Sequence, residues 1–426
     1  MIEIRDLRAS DPMPEPASVA LDADVVKGAH AIVERVRLEG DAALVELTAK
    51  FDGADIAGRV CVSRDESDAA VQRLDEELKH ALEEMADRLG ELHRRQLPIG
   101  WEVAFEGVRY GERVKPIAAA GCYVPGGRAS YPSTVLMTAI PAKTAGVQRV
   151  VLCTPPDDTG AVPAPVLFAA LIAGVDEVYR VGGAQAIGAL AHGTESIARV
   201  DKIVGPGNAW VTAAKKDVYG TVGIDSLAGP TELVIVADKS ADPAILAVDL
   251  VAQAEHDPMA CTTLVALDEA LPAAVQVALE KEVAESPRRE IVEAAMGFAL
   301  IVLAGTEAQA AEVSDRIAPE HLQIVTSDPR SFLERVSYYG AAFLGPSTPV
   351  SFGDYGVGSN HVLPTMGNAR FSSGLRTADF MTVSSFVEAS EEANANVGPD
   401  VEMIATAEGL AAHAKASAIR RRGDPA

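Results

Sequence analysis

The stretch RVVLCTPPDDTGAVPAPVLFAALIAGVDEVYRVGG, Arg149 to Gly183, decides the fold class. It opens on RVVLC, an apolar run with the length and β-branched character of a buried strand. Pro and Asp residues then break the chain. APVLFAALIAG has helical length and ends in Gly, and DEVYRV reads as a second strand. Strand, helix, strand in one such stretch implies a parallel crossover unit. Downstream, AQAIGALAHG is a helix, RVDKIVGPG a strand, AWVTAAKKDVYG a helix and TELVIVAD a strand. A second alternating series runs CTTLVAL, PAAVQVALEKEVAE, FALIVLAG, AQAAEVSDRIAP, HLQIVTS, RSFLERVSYYG and AAFLGP. Two series predict an α/β chain with two three-layer halves on parallel sheets.

Upstream the pattern is helical. DADVVKGAHAIVERVRLEG and DAALVELTAKFDG are amphipathic and end in Gly, and ESDAAVQRLDEELKHALEEMADRLGELHRRQLP stops at Pro98. EVAFEGVRYGERVKPIAAAG predicts a β-region with hairpin-like alternation around Gly111. EASEEANANVGPD is the best candidate hinge, and VEMIATAEGLAAHAKASAIRRR reads as one last helical element.

Composition limits the function classes. The 426 residues carry a net charge of -24, and the only basic cluster is Arg420 to Arg422. Nucleic acid and anionic membranes are therefore not expected partners. No apolar run approaches the roughly 18–20 residues of a membrane span. MIEIRDLRASDPMPEP lacks the form of a secretory signal, so a cytoplasmic protein is expected. Cys61, Cys122, Cys153 and Cys261 have no CxxC spacing and read as free thiols. A thiol nucleophile is the weaker reading: Cys153 closes a buried strand, and Cys122 lacks a neighbouring base.

Of the eight histidines, seven fall into two groups. His30, His80 and His93 lie in polar helical sequence, where a solvated surface role is expected. His256, His321, His361 and His413 each stand near another acid–base or metal-capable group: Gln253 and Glu255, Glu320, Asp354, and Glu408 respectively. Any one alone is explained by a cap or a satisfied core histidine. Together they point to a shared site. Gln253, His256, Asp354, His361 and His413 are N and O ligand types, suited to Zn²⁺ or a similar divalent ion. Asp242 and Pro243 start a helix whose last turn offers Gln253 and His256 on one face. Adjacent residues of a strand point to opposite sides, so Glu320 and His321 need a turn if both are to face one substrate. Glu408 and His413, about 140° apart on an unbroken helix, can serve one ligand only if Gly409 permits a bend or the ligand sits between them.

Glycine-rich segments are the second theme. YVPGGRASYPS, RVGGAQAIGALAHG and KIVGPGNAW place glycines between a strand and a helix, where backbone N–H groups favour phosphate. None is a true GxGxxG. Tight βα turns, with Asn208 as a helix cap, account for them equally well.

From about Gly121 onward the chain strongly resembles the histidinol dehydrogenase family. The resemblance rests on GCYVPGGRASYPSTVLMTAIPAKTAG, VGGAQAIGALAHGTESI, DKIVGPGNAWVTAAKK, GIDSLAGPTELVIVAD, QAEHDPMA, APEHLQI, FLGPSTPVSFGDYGVGSNHVLPT and AEGLAAH. It implies NAD-dependent oxidation of L-histidinol through histidinal to L-histidine, the last steps of histidine biosynthesis. It also implies one zinc per subunit, on Gln253, His256, Asp354 and His413, with His413 supplied across a homodimer. Glu320 and His321 match the acid–base pair. His361 and Glu408 match substrate contacts, as does Thr231, where many members have Ser; the four ligands and His321 also touch substrate. Tyr123, Gln185 and Asn208 match the NAD contacts. The implied architecture is two incomplete Rossmann-like domains with small terminal extensions, in an intertwined homodimer. Its expected bounds are an extension over 1–19, a first domain of 20–124 with 233–375, an NAD-side domain of 125–232, and a helical extension over 376–426 reaching the partner.

Two other readings compete with this one. A paralogue oxidising another small polar alcohol, such as a sulfonated diol, fits less well because Glu408 and His413 suit an amino-imidazole substrate. A catalytically silent metal-binding relative would be expected to lack Glu320 or His321, and this chain has both.

Overall fold

Every residue of ELVIVA, Glu232–Ala237, is buried, which is the mark of a central strand covered on both faces. In the computed structural model, which describes residues 2–9, 11–15, 21–126 and 130–422, this strand, β9, lies inside a six-stranded parallel sheet. The others are β1 (Glu3–Asp6), β10 (Cys261–Ala266), β11 (Leu300–Leu303), β12 (His321–Val325) and β13 (Ala341–Leu344), in the order β1-β11-β10-β9-β12-β13. Leu246 and Leu250 of the helix Pro243–Ala254 and Val275 of Leu271–Glu285 pack on Leu233 and Ile235. Ala310 and Val313 of Glu307–Ile317 pack on Val234 and Val236, closing the opposite face. The N-terminal segment pairs β1 in parallel with β11 of its own chain. Residues 1, 10 and 16–19 of the expected extension lie outside the described residues.

The second parallel sheet has five strands: β4 (Ala119–Tyr123), β5 (Arg149–Cys153), β6 (Glu177–Tyr179), β7 (Lys202–Val204) and β8 (Gly223–Ile224), ordered β6-β5-β4-β7-β8. On one face Val151, Cys153 and Ile203 meet Val33, Val36, Ile187 and Leu190 of the helices Ala23–Glu39 and Gly183–His192. On the other, Cys122 faces Thr138 of Pro132–Ala145. Both sheets are thus the middle layer of an α/β sandwich, as the alternating pattern predicts. Cys122 and Cys153 are fully buried, and burial pushes the Cys122 thiol up to about 12, so neither is poised as a nucleophile.

The chain divides into two compact units, residues 1–96 with 117–380, and residues 97–116 with 381–426. Both parallel sheets belong to the first. The second contains an antiparallel sheet of β2 (Trp101–Phe105), β3 (Val108–Pro116) and β14 (Met381–Ala389), ordered β14-β3-β2, and two helices, Glu391–Ala407 and Ala411–Arg422.

Four local expectations are corrected. The hairpin turns at Glu106 and Gly107, with φ of 51° and 77°, as a two-residue turn of positive-φ residues requires; Gly111 lies inside β3 opposite Glu102. EASEEANANVGPD is no hinge: Ser390 caps the helix by accepting from Ala393 N at 3.1 Å, and Glu391 and Glu392 complement its N-terminus. The last element is two helices, because Gly409 takes φ 76° between them. His93 is not on the surface. It continues the buried row Leu82, Met85, Leu89 of its helix, where Asn360 Nδ2 donates to its Nε2 at 3.3 Å and its Nδ1 bonds Gln96 Oε1 at 2.9 Å.

Candidate active site

The five-stranded sheet reverses direction between β4 and β7: the chain builds β5 and β6 to one side, then β7 and β8 to the other. Ligands of open α/β sheets bind beyond the carboxyl ends of strands at such a switch point. Tyr123 ends β4 there, and Gly205 follows β7 with φ 117°; a Cβ on it would lie 2.0 Å from Tyr123 O. Gly205 N donates to Asp225 Oδ2 at 2.7 Å, and its carbonyl accepts from Lys215 Nζ at 3.0 Å. Lys215 and Asp225 are themselves a buried ion pair, so this loop is held rigidly. Asn208 caps the helix Ala209–Val218, its Oδ1 accepting from Trp210 N at 3.0 Å and Val211 N at 3.2 Å. Gly183 N donates to Tyr123 Oη at 3.1 Å, and the buried Gln185 Nε2 has no hydrogen-bond partner among the described residues. Gly127, Arg128 and Ala129 of the first glycine-rich segment lie outside the described residues.

The six-stranded sheet contributes its amino ends. Thr231 precedes β9 and Glu320 precedes β12, while Glu232 and His321 are the first residues of those strands. The turn that Glu320 and His321 require is made at Ala318, which ends the preceding helix with φ 50°. Thr231 Oγ1 donates to Glu320 Oε2 at 2.5 Å, Glu232 N donates to the same oxygen at 3.1 Å, and Gln253 Nε2 donates to Thr231 Oγ1. His321 Nδ1 lies 3.2 Å from Glu232 O and 3.5 Å from Glu320 Oε2. A carbonyl only accepts, so Nδ1 carries the proton and Nε2 keeps its lone pair. Burial pushes Glu320 up to about 8 and holds His321 neutral by lowering its pKa.

Gln253 sits in the last full turn of Pro243–Ala254, started as expected by Asp242 accepting from Ala244 N at 2.9 Å. His256 follows two residues beyond that helix. Asp354, on the short helix Ser351–Tyr355, places Oδ1 3.9 Å from His361 Nδ1, and Thr134 Oγ1 lies 3.2 Å from His361 Nε2. Burial pushes His361 down to about 4. Tyr123, Gln185 and Asn208 line the same cavity of about 1030 Å³ as Thr231, Gln253, His256, Glu320, His321, Asp354 and His361. The strand-end crevice and the buried Glu320 and His321 thus open into one space.

Comparison with known proteins identifies this arrangement. The family model for histidinol dehydrogenase matches residues 17–421. The histidinol dehydrogenase of Synechococcus sp. is 47% identical over 394 residues, 92% of this chain and 91% of the relative. That of Methanothermobacter thermautotrophicus is 48% identical over 405 residues, 94% of each chain. The crystal structure of histidinol dehydrogenase from Elizabethkingia anophelis superposes with a TM-score of 0.94 at 34% identity, covering 99% of this chain and 98% of that one. The chain belongs to the histidinol dehydrogenase family.

The residues expected of a histidinol dehydrogenase fall in two places. Ten of them line the cavity of the first unit. Glu408 and His413 belong to the second, on either side of the break at Gly409, with His413 lining a separate apolar groove there. One buried acid escaped the sequence reading. Glu232 accepts from Met366 N at 3.0 Å, its Oε2 has no partner among the described residues, and burial beside Glu320 pushes it up to about 8. A lone charge heading an otherwise apolar strand run was the available signal.

Proposed function

We propose that this chain oxidises L-histidinol through histidinal to L-histidine, with two NAD as hydride acceptors. The observation that carries the reading is the single cavity joining the switch-point crevice to the pair Glu320 and His321. In the first oxidation His321 Nε2 takes the hydroxyl proton while hydride leaves the carbinol carbon for the nicotinamide. Glu320, in its ionised form, then takes a proton from the water that adds to the aldehyde. His321 acts again as base when the hydrate is oxidised. Thr231 orients Glu320 throughout, and His361 contacts the substrate.

Among the described residues no cluster of three or more His, Cys, Asp or Glu side chains is close enough to hold a metal ion. The donor set still fits zinc. Gln253 spends its amide nitrogen on Thr231, leaving Oε1 as the free end beside the cavity that His256 and Asp354 also line. Zinc held by Gln253, His256, Asp354 and His413 would supply an anchor for the substrate's imidazole and amino nitrogens. Glu408 would hold the amino group. His413 and Glu408 would come from the other subunit of a homodimer, a reading supported by the exposed apolar side chains Trp101, Phe105, Val387 and Met403 of the second unit. Four free cysteines support a cytosolic setting.

The test is the yield of NADH per L-histidinol consumed, before and after chelation and zinc restoration. Two per substrate, lost and regained with the metal, is expected; no turnover by metal-replete protein would overturn the reading. His256→Ala should lose the metal, and a variant keeping one zinc per subunit would remove His256 from the ligand set.

A further inference from the structure

One acid in the cofactor arm of the cavity is used by no step above. Asp52 ends the helix Asp41–Phe51, its backbone N donating to Thr48 O at 2.8 Å. Asp52 lines the cavity with Ile32, Phe51, Gly183, Gln185 and Trp210. Its Oδ2 is buried and accepts no hydrogen bond among the described residues. Burial pushes this carboxyl up to about 6, and no cation offsets that. Leaving a buried carboxylate oxygen unpaired is costly, and a ligand that supplies hydroxyl donors removes the cost.

The dinucleotide crevice supplies such donors. In doubly wound folds an acid at the end of the second strand accepts the ribose 2′-hydroxyl of NAD. The second strand here is β5, and after Cys153 come Thr154, Pro155 and Pro156, with no acid at the strand end. Pro155 lines the cavity where that acid would stand. The nearby aromatics suit an adenine. A Cβ on Gly28 would lie 2.5 Å from the Trp210 ring, so only glycine lets the indole lie across the helix Ala23–Glu39. Phe51 is 53% exposed and Trp210 39%, and both line the cavity with Asp52, Lys50 Nζ standing over the Phe51 ring at 5.2 Å.

We propose that Asp52 accepts the adenosine ribose hydroxyls of NAD, with adenine against Phe51 and Trp210, and that its charge excludes the 2′-phosphate of NADP. The acid that selects NAD thus comes from a helix preceding the sheet, and not from the sheet itself. This rests on the reading that the cavity takes NAD.

The test uses the full-length protein, in wild-type, Asp52→Asn and Asp52→Ala forms. Calorimetry reads binding of NAD, NADP, AMP and AMP carrying a 2′-phosphate, and kinetics reads kcat/KM for NAD and NADP with L-histidinol. Wild type should favour the unphosphorylated member of each pair. Asp52→Asn should weaken NAD about tenfold and narrow the NAD/NADP ratio by about tenfold or more, since a charged hydrogen bond is lost and a repulsion relieved. Because the readout is a ratio, partial misfolding of either variant cannot produce it. An unchanged ratio and unchanged AMP affinity in both variants would overturn the proposal. Wild-type protein that binds NAD over NADP through Asp52 yet leaves histidinol untouched would sustain this subsite and overturn the substrate reading instead.

Discussion

The two parallel sheets share one strand order and meet the same cavity with opposite ends. Setting aside the edge strand β1, each runs third, second, first, fourth, fifth. The five-stranded sheet offers the carboxyl ends of β4 and β7, where glycine-rich loops expose backbone N–H groups, the usual place for a dinucleotide. The six-stranded sheet offers the amino ends of β9 and β12, where Thr231, Glu232, Glu320 and His321 gather. The difference is one of chemistry. Main chain and a helix start can meet phosphates, and they need small residues and space. An acid and base tuned away from their ordinary pKa need burial, and the heads of two fully covered strands provide it. A rule that places sites at carboxyl ends finds only half of this one.

The contrast is best broken at its chemical end. His321→Ala should lower kcat for the first oxidation by about a thousandfold, within the usual range for loss of a general base, while NAD affinity by calorimetry stays near wild type. Collapse of NAD binding in that variant would mean the two edges are not separable. Glu320→Gln should slow histidinal oxidation by roughly a hundredfold and histidinol oxidation far less, as single-turnover measurements on each substrate would read. Equal slowing would count against its water-activating role.

Glu320 also makes stability depend on pH. Its folded pKa, about 8, lies above the ordinary 4.5, so the folded state holds a proton that the unfolded state has released. In metal-free protein its contribution is therefore present below the ordinary value and is lost as pH rises toward 8. Denaturant midpoints should fall across that window, less steeply in Glu320→Gln. Thr231→Val strands the Gln253 amide and leaves Glu320 Oε2 with only the Glu232 N donor, for a loss of about 1–3 kcal/mol that Thr231→Ser should restore. At the cofactor end, Asn208→Ala removes a helix cap, with an expected cost of about 1 kcal/mol in thermal unfolding.

Much of this was legible. The alternation from Arg149 onward specifies strands and crossovers because buried parallel strands must be short apolar runs and their connections must be helices. Glu320 and His321 were readable as chemistry and Thr231 only through the family resemblance, but the relay from Gln253 through Thr231 to Glu320 was not: it joins residues that share no periodic element. Asn208 showed both of its readings, and the cap is the one with distances attached. His93 was misread because its polarity masked a row set by helical spacing, Leu82, Met85, Leu89. The hinge assigned to EASEEANANVGPD failed since Ser followed by two Glu is also how a helix begins. Asp52 carried no pattern at all; its interest lies only in an unmet hydrogen bond.

The antiparallel sheet has a history as well as a shape. Its hairpin β2–β3 is made early in the chain, and β14, which pairs along the whole of β3, comes near the end. At about 5–20 residues per second, a ribosome spends roughly ten to fifty seconds between the two. Throughout that interval β3 has one open edge, flanked by Trp101, Val103 and Phe105, all of which are exposed even in the finished chain. A nascent chain in a crowded polysome would thus carry an open strand edge for most of its synthesis, and chaperone demand should follow the elongation rate between Pro116 and Met381.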